Sequence, residues 1–540
     1  MFKQLLKVLA IFGFLVSLGF IIGACSDGEE NQVAKADFVA DFGGEKLKVL
    51  AGSEIKILEP ILKDYAKQQK QTIEVTYMGS VDMMRLLQTG KMDYDAVWPA
   101  SSMWLTLGDK NHILKHQASI TMTPVVFGIK QSKAEKLGFT KQAPSIRDIL
   151  QAVKDKKMTF AMTSATQSNS GASAYLSFLT ALSGQKVLTP TILADSTIQK
   201  DIQSLLAGVN RTSGSSNWLV DLFLKGDYDA MVNYETLIIQ TNHELKKAGK
   251  EPLYMVYPKE GIVMSDSPLA YVDHQKEKKE KAFLAFQKYL LADRAQDAIE
   301  KTGRRSVYNT VRPANKSAFP KEWGLDTDRV LNTMRLPEAK TIEQALGLYQ
   351  TSFKKPALTY YVLDYSGSMA GEPVDQLTNA LSYVMLPDKA KQYLLQGHPQ
   401  DITRTYAFNS EVETMPQAKG NGQEMVDLYE KVKEKEPTGG TAMNTALLEV
   451  FKQIQQDQAL FATHTPMIVI LSDGRANDYD QEEAVAKEYQ AMNLDVPIFS
   501  IQFGDADETY IKHLAELSNG RVFDGRKDLV GAFKSVKGYN

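Results

Sequence analysis

Beyond residue 44 the chain alternates between short apolar runs and stretches in which apolar positions recur every three or four residues. The first pattern is that of a buried strand, the second that of a helix with one face against a core. Lys46–Ala51 reads as a strand, followed by a turn at Gly52, Ser53 and Glu54 and by Ile57, Leu58, Ile61, Leu62 and Tyr65 at helical spacing. Thr72–Tyr77 is the next predicted strand. Gly79 and Ser80, a helix through Met83 and Leu87, a turn at Gly90 and a strand over residues 94–98 follow it. Strands alternating with amphipathic helices in this way predict an α/β fold.

The pattern returns at a distance. Asp93-Tyr94-Asp95-Ala96 recurs as Asp227-Tyr228-Asp229-Ala230, 134 residues later, each time after a glycine-containing turn. This echo predicts a duplicated, two-lobed layout over residues 45–310. Residues 311–355 read as a connector: Ile342, Ala345, Leu346 and Tyr349 share one helical face, Pro356 ends it, and no Gly/Ser run loosens it. A packed helical joint is expected there. From residue 356 a second α/β pattern begins, with a buried strand over 360–363 running into Asp364-Tyr365-Ser366-Gly367-Ser368. A glycine-rich turn ending in Thr441 precedes a helix bearing Ala446, Leu447, Val450 and Phe451. A strand over 467–471 ends in Ser472-Asp473-Gly474.

Composition narrows the function classes. With 43% apolar and 24% charged residues in 540, the chain is neither disordered nor fibrous nor a polytopic membrane protein, and its length suits two to four globular units. Lys plus Arg total 62 against 65 Asp plus Glu, a net charge of -3 that offers nucleic acid no general attraction. The charge run at 276–281 reads as a solvated helix face. A single cysteine excludes an internal disulfide and a Cys-rich metal site. His112 and His116 have helical spacing, but Ile113, Leu114 and Lys115 between them supply no Glu to act as a base. A phosphate-binding loop and a nucleophile elbow are both missing, so an enzyme is not expected.

The N-terminus adds an address. Lys3 and Lys7 precede seventeen uncharged residues, 8–24. That run is short against the ~20 residues of a spanning helix but suits an export signal. It ends Ile21-Ile22-Gly23-Ala24-Cys25-Ser26, which resembles the lipobox of bacterial lipoproteins, with the only cysteine at the required place. The resemblance implies a signal peptide over 1–25, lipidation of Cys25 and a polar tether over 26–44. It also implies attachment to the cell membrane or outer membrane by the lipid anchor, facing the periplasm or the cell exterior.

Residues 45–310 resemble the solute-binding proteins of ABC transporters, in the group whose chain crosses twice between lobes. Residues 121–129 are similar to the first crossing and residues 254–258, and on to 268, to the return, while the helix over 281–291 with Gly303-Arg304-Arg305 is similar to the closing elements. The resemblance implies a small solute held between lobes by hydroxyls and by N–H groups at helix N-termini, positions that suit oxyanions and carboxylates. It carries ligand contact to Ser53 and Ser80 after the first two strands, and to Ser168, Asn169 and Ser170 ahead of a second-lobe helix. Glu235 falls where relatives place a ligand or hinge contact. The same Ser and Asn residues are helix caps by type, and no arginine in these turns stands out as an anion clamp, which leaves the solute's charge open.

Loops at the C-terminal ends of parallel strands gather at one rim. Carboxylate and hydroxyl oxygens together form a hard donor set that favours Mg2+, with Mn2+ or Ca2+ as substitutes. Asp364, Ser366, Ser368, Thr441 and Asp473, in this order, resemble the metal-ion-dependent adhesion site of the von Willebrand factor type A domain. Residues 401–408, 497–504 and 514–523 are similar to its later elements. The resemblance covers 356–540 and implies a Rossmann-like domain whose metal keeps one position for an Asp or Glu carboxylate of a partner protein. Binding and not turnover is implied, since no His lies in the three loops.

The function expected of the whole is that of a lipid-anchored cell-envelope binding protein with a solute cleft and a metal-dependent partner site. The alternative is a substrate receptor of an ABC-type uptake system whose A domain docks it to the permease or an envelope scaffold. A hydrolase working at the metal rim is the third reading. The domain order further suggests that the cleft reports its occupancy to the metal site through the connector.

Overall fold

The computed structural model describes residues 36–328, 331–392, 395–472, 476–502, 508–526 and 529–538. The export signal with Cys25, the tether as far as residue 35, and Asp473 lie outside the described residues. Residues 36–540 pack as one unit, and three sheets form among the described residues.

The first sheet has the order Phe38–Asp41, Thr72–Tyr77, Lys46–Ala51, Ala96–Trp98, Pro268–Val272, Leu114–Ser119. The second runs Leu253–Val256, Thr123–Lys130, Ala230–Tyr234, Phe160–Thr163, Val209–Ser213, with Met264–Ser265 beside Thr123–Lys130. The chain passes from the first sheet to the second after Leu114–Ser119 and returns between Met264–Ser265 and Pro268–Val272. Two lobes are therefore present, and after the last first-lobe helix the chain passes to the second lobe once more, a third crossing. Lys46–Ala51 and Thr72–Tyr77 form with the predicted bounds.

The repeated aspartate has a physical role in both lobes. Asp95 Oδ2 accepts the Lys48 N–H at 2.8 Å, and Asp229 Oδ2 accepts the Thr159 N–H at 3.1 Å. Each aspartate precedes a strand and takes an N–H in, or just ahead of, the strand paired parallel to it. A backbone donor is thereby satisfied at the same point of each unit.

Two expectations change. The tether does not run to residue 44: Phe38–Asp41 joins the edge of the first sheet, antiparallel to Thr72–Tyr77, with Phe38 opposite Val75. Four residues, of which only Ala40 is buried, are too few to show a period of two in sequence. The packing of 311–355 is also more one-sided than a joint requires, although Gln350 Nε2 donates to Gln396 O at 3.0 Å in the C-terminal region. Phe319, Trp323 and Leu325 join the core on one face of the second sheet with Leu219 and Ile238. Ile342, Ala345, Leu346, Tyr349 and Phe353 join the core on the other face with Phe160 and Phe178. The shared helical face is buried as predicted, on Ala339–Leu348 and the π-type turn that continues it, but it covers the second lobe. Tyr175 OH donates to Ala345 O at 2.8 Å.

The third sheet has the order Val412–Thr414, Ile402–Phe408, Ala357–Asp364, Thr465–Ser472, Ile498–Gln502, Arg521–Asp524, with Ala418–Lys419 beside Ile402–Phe408. Successive side chains point to opposite faces. Tyr361, Leu363, Val469 and Leu471 meet Leu377, Leu428 and Phe533 on one side. Tyr360, Val362, Ile468 and Ile470 meet Leu447, Phe451 and Val485 on the other. Burial on both faces is why these strands read as unbroken apolar runs. Among the described residues no helix is long and apolar enough to cross a membrane.

Candidate functional site

The order of the third sheet reverses at Ala357–Asp364. The chain leaves it for Ile402–Phe408 on one side and comes back to Thr465–Ser472 on the other. The loops leaving these strands diverge there and open a crevice at their C-terminal ends. Asp364 is the last residue of its strand and fully buried. Its Oδ1 accepts the Ser366 N–H at 2.8 Å, and its Oδ2 accepts the Ser472 hydroxyl at 2.5 Å. The Ser366 and Ser368 hydroxyls are 3.0 Å apart; Ser366 is buried and Ser368 exposed.

Thr441 reaches the rim through backbone ties. Thr438 N–H donates to Tyr365 O at 2.8 Å and Gly367 N–H to Gly439 O at 3.0 Å, so the first loop is zipped to the glycine-rich turn. Gly439 has φ +77°, and a Cβ there would lie 2.8 Å from Ser410 Oγ. Thr441 O accepts the Asn477 N–H at 2.9 Å. Asp478 accepts N–H bonds from Asn444 and Thr445 at 3.3 and 2.8 Å, holding the loop after residue 475 against the start of Met443–Gln456. Asp364, Ser366 and Ser368 are thus brought together with the Thr441 turn laced beside them, and Asp473 directly follows Ser472. Ser472 itself, read in sequence as part of a turn, is the hydroxyl that fixes the Asp364 carboxylate. A carboxylate and three hydroxyls, with no nitrogen or sulfur donor, fit a hard divalent cation.

The histidines make no such site. His116 lies in Leu114–Ser119 with Nε2 2.6 Å from Glu280 Oε1, and among the described residues no group of three or more His, Cys, Asp or Glu is placed to hold a metal.

The lobes meet directly. Trp104 Nε1 donates to Asn169 Oδ1 at 2.7 Å, Asn217 Nδ2 to Ser53 O at 2.5 Å, and Arg85 Nη2 to Thr166 O at 3.4 Å. A Cβ on Gly79 would lie 2.5 Å from Gln167 O, so only glycine allows this approach. The residues expected to contact a solute are engaged by the protein in this closed arrangement. Ser80 Oγ accepts the Ala100 N–H at 3.1 Å. The Ser168 and Ser170 hydroxyls lie 3.2 and 2.8 Å from that of Ser216. Asn169 Nδ2 donates to Tyr234 OH at 3.0 Å and to Ser265 Oγ at 2.9 Å. Glu235 is bound by Arg305 and Tyr257. Ser53 lines the mouth of the cleft.

That mouth has a third wall. A groove of about 1020 Å³ is lined by Ser53, Gly79, Gln167 and Ser215 from the two lobes and by Arg521 and Lys534 from the C-terminal region. Gln167 Nε2 donates to Lys534 O, and Thr212 Oγ1 to Gly538 O at 3.2 Å, both on the helix Leu529–Gly538. The buried Arg211 guanidinium reaches Asp495 at 2.5 Å and Asn519 O at 3.1 Å. The second lobe and the C-terminal region therefore meet face to face, beyond the covalent connection.

Residues 47–305 match the family model described as bacterial extracellular solute-binding protein, and residues 360–528 match that of the von Willebrand factor type A domain. Neither is an enzyme family. No curated protein matches the chain. Among solved structures it is similar to an ABC transporter from Clostridium perfringens, at 13% identity over 56% of this chain and 97% of that one, with a TM-score of 0.41. It is similar to the ferric binding protein from Campylobacter jejuni, at 12% identity over 56% and 98%, TM-score 0.43. The sulfate-binding protein from Mycobacterium tuberculosis is similar at 17% identity over 56% and 96%, TM-score 0.38.

Proposed function

We propose that this chain, which joins a bacterial solute-binding region to a von Willebrand factor type A domain, is a lipid-anchored binding protein of the cell envelope that holds a partner protein at a divalent cation. The observation that carries this reading is the pair of serine hydroxyls, 3.0 Å apart, beside the buried Asp364 carboxylate at the point where the sheet order reverses. A Mg2+ ion bound there supplies a Lewis-acidic position for an Asp or Glu carboxylate of the partner, and Mn2+ or Ca2+ can substitute. Asp364 supplies charge from a carboxylate oriented by Ser366 and Ser472. Ser366 and Ser368 supply neutral oxygens, and Thr441 and Asp473 complete the set. Hydroxyls and carboxylates as donors support coordination as the role of the rim.

Calorimetric titration with Mg2+ and Mn2+ tests the rim. Uptake at a single site by the wild type and none by Asp364→Ala is expected; equal uptake by both would remove the reading. Acylation of Cys25 provides the anchor in this scheme, placing the protein on the cell or outer membrane. Cys25→Ser is expected to move it into the soluble fraction, and sedimentation with membranes regardless would refute the anchor.

A second reading, the receptor of an ABC-type uptake system, is favoured by a family match that spans both lobes and the first two crossings. It predicts that uptake of the solute survives Asp364→Ala, whereas the partner-binding reading predicts that the same change abolishes partner capture. Coupling between cleft and rim is supported by the Gln167 and Thr212 hydrogen bonds to Leu529–Gly538, since lobe opening would move the loop that carries Gln167. Measuring Mg2+ affinity with the lobes held shut by an interlobe disulfide tests it, and an unchanged affinity would remove it.

A further inference from the structure

At the hinge, the first two crossings and the segment after the last first-lobe helix form a small ribbon. Ser265 lies opposite Thr123, the Ile120 N–H donates to Ser267 O at 3.2 Å, and Met122 pairs antiparallel with Arg305. Side chains alternate across such a ribbon with a period of two. Thr121, Thr123, Ser265 and Arg304 consequently share one face, while Met122 and Arg305 take the other; Ser267, at φ +39°, lies just beyond the regular alternation. These four residues and Ser267 are all buried.

The face is polar and incompletely paired. The hydroxyls of Thr121, Thr123 and Ser267, together with Nε and Nη1 of Arg304, have no hydrogen-bond partner among the described residues. The remaining Arg304 nitrogen, Nη2, donates to the Glu54 carbonyl at 2.6 Å, and Oε1 of the buried Glu54 carboxyl is unpartnered too. Asn169 ties the second lobe to this face through Ser265. A buried polar atom left unpaired costs about 1–3 kcal/mol, and more when charged. The neighbouring Arg305 shows the ordinary solution, a carboxylate at 2.8 and 2.9 Å. Arg304 has none. Burial pushes the Glu54 carboxyl up from its usual range, against the pull of Arg304.

We infer that this hinge face is the floor of the solute site and takes the anionic group of a small solute, an oxyanion or a carboxylate, with Arg304 as its charge partner and the hinge hydroxyls as donors. The inference rests on the solute-cleft reading and adds to it the charge class of the solute. Opening at the crossings breaks the Trp104–Asn169 and Asn217–Ser53 bonds and uncovers the face.

The test is the thermal midpoint of the purified protein, which a ligand of the native state raises. Sodium phosphate, sulfate, acetate and glutamate are compared with sodium chloride at equal ionic strength, and polyols form the neutral set. A rise with phosphate or sulfate points to an inorganic oxyanion, and a rise with the carboxylates to an organic acid. Arg304→Gln is expected to weaken that binding about 10- to 100-fold. Since removing a buried charge can prevent folding, Thr123→Val is measured beside it, with an expected loss of about 2- to 10-fold and a midpoint in chloride that does not fall. Wild-type anion binding by both variants overturns the assignment. A midpoint raised only by neutral solutes keeps the cleft and overturns the charge class, and no response to any solute removes the cleft reading as well.

Discussion

Glu235 and Arg305 face each other with both side chains 1% exposed, Nε donating to Oε1 at 2.8 Å and Nη2 to Oε2 at 2.9 Å. Tyr257 OH adds a third bond to Oε2 at 2.5 Å. Glu235 opens a second-lobe helix and Arg305 follows the last helix on the first lobe, so the pair joins the two lobes where the chain crosses.

Removing one partner of a buried pair strands the other charge. Glu235→Gln is therefore expected to destabilise the protein by about 3–5 kcal/mol in urea denaturation. A loss below about 1 kcal/mol, the value of an exposed pair, would mean that water reaches the hinge.

Metal removal gives the second prediction. If the rim binds Mg2+, a concentration 100 times Kd stabilises the native state by about 2.7 kcal/mol. Scanning calorimetry should show that gain reversed by EDTA in the wild type and no EDTA effect in Asp364→Asn. Equal EDTA effects in the two proteins would place the metal elsewhere.

Stability should also respond to alkaline pH through Lys537. Its ammonium donates to Leu395 O. Desolvation, opposed by Asp401 and assisted by repulsion from Lys354, pushes its pKa down to about 8 from 10.5. Between these values the unfolded chain holds a proton that the native one has released, so stability rises with pH across that window and the cost of burying the charge is fully present below it. The Lys354 ammonium is pushed down by burial as well and acts in the same direction. Denaturation midpoints of wild type and Lys537→Met across the window are the check: a flatter rise in the variant is expected, and parallel profiles would contradict the assignment.

Gln167 offers a local test of the seam between the second lobe and the C-terminal region. Gln167→Ala removes the bond to Lys534 O, worth about 0.5–1.5 kcal/mol. Faster amide exchange confined to Leu529–Gly538 is expected, and exchange unaltered there would show that the helix is held by other contacts.

The strands Lys46–Ala51 and Thr72–Tyr77 were legible from sequence, because short apolar runs between turns are properties of consecutive residues. Phe38–Asp41 was not, since an edge strand of four residues draws its pairing from Thr72–Tyr77, more than thirty positions on. The connector showed its apolar face in sequence but not its destination, since a helical stripe states that something must cover it and not what does.

By itself, then, the sequence determines the alternation of elements, the two-lobed plan and the donor types at the rim. Only the tertiary structure decides that Ser472 orients Asp364, that Leu529–Gly538 rests against the second lobe, and that of two adjacent arginines Arg305 meets a carboxylate and Arg304 does not. Pairing of buried charges depends on where distant segments pack, and in 304–305 two identical side chains one residue apart point to opposite faces of the hinge, where different partners await them.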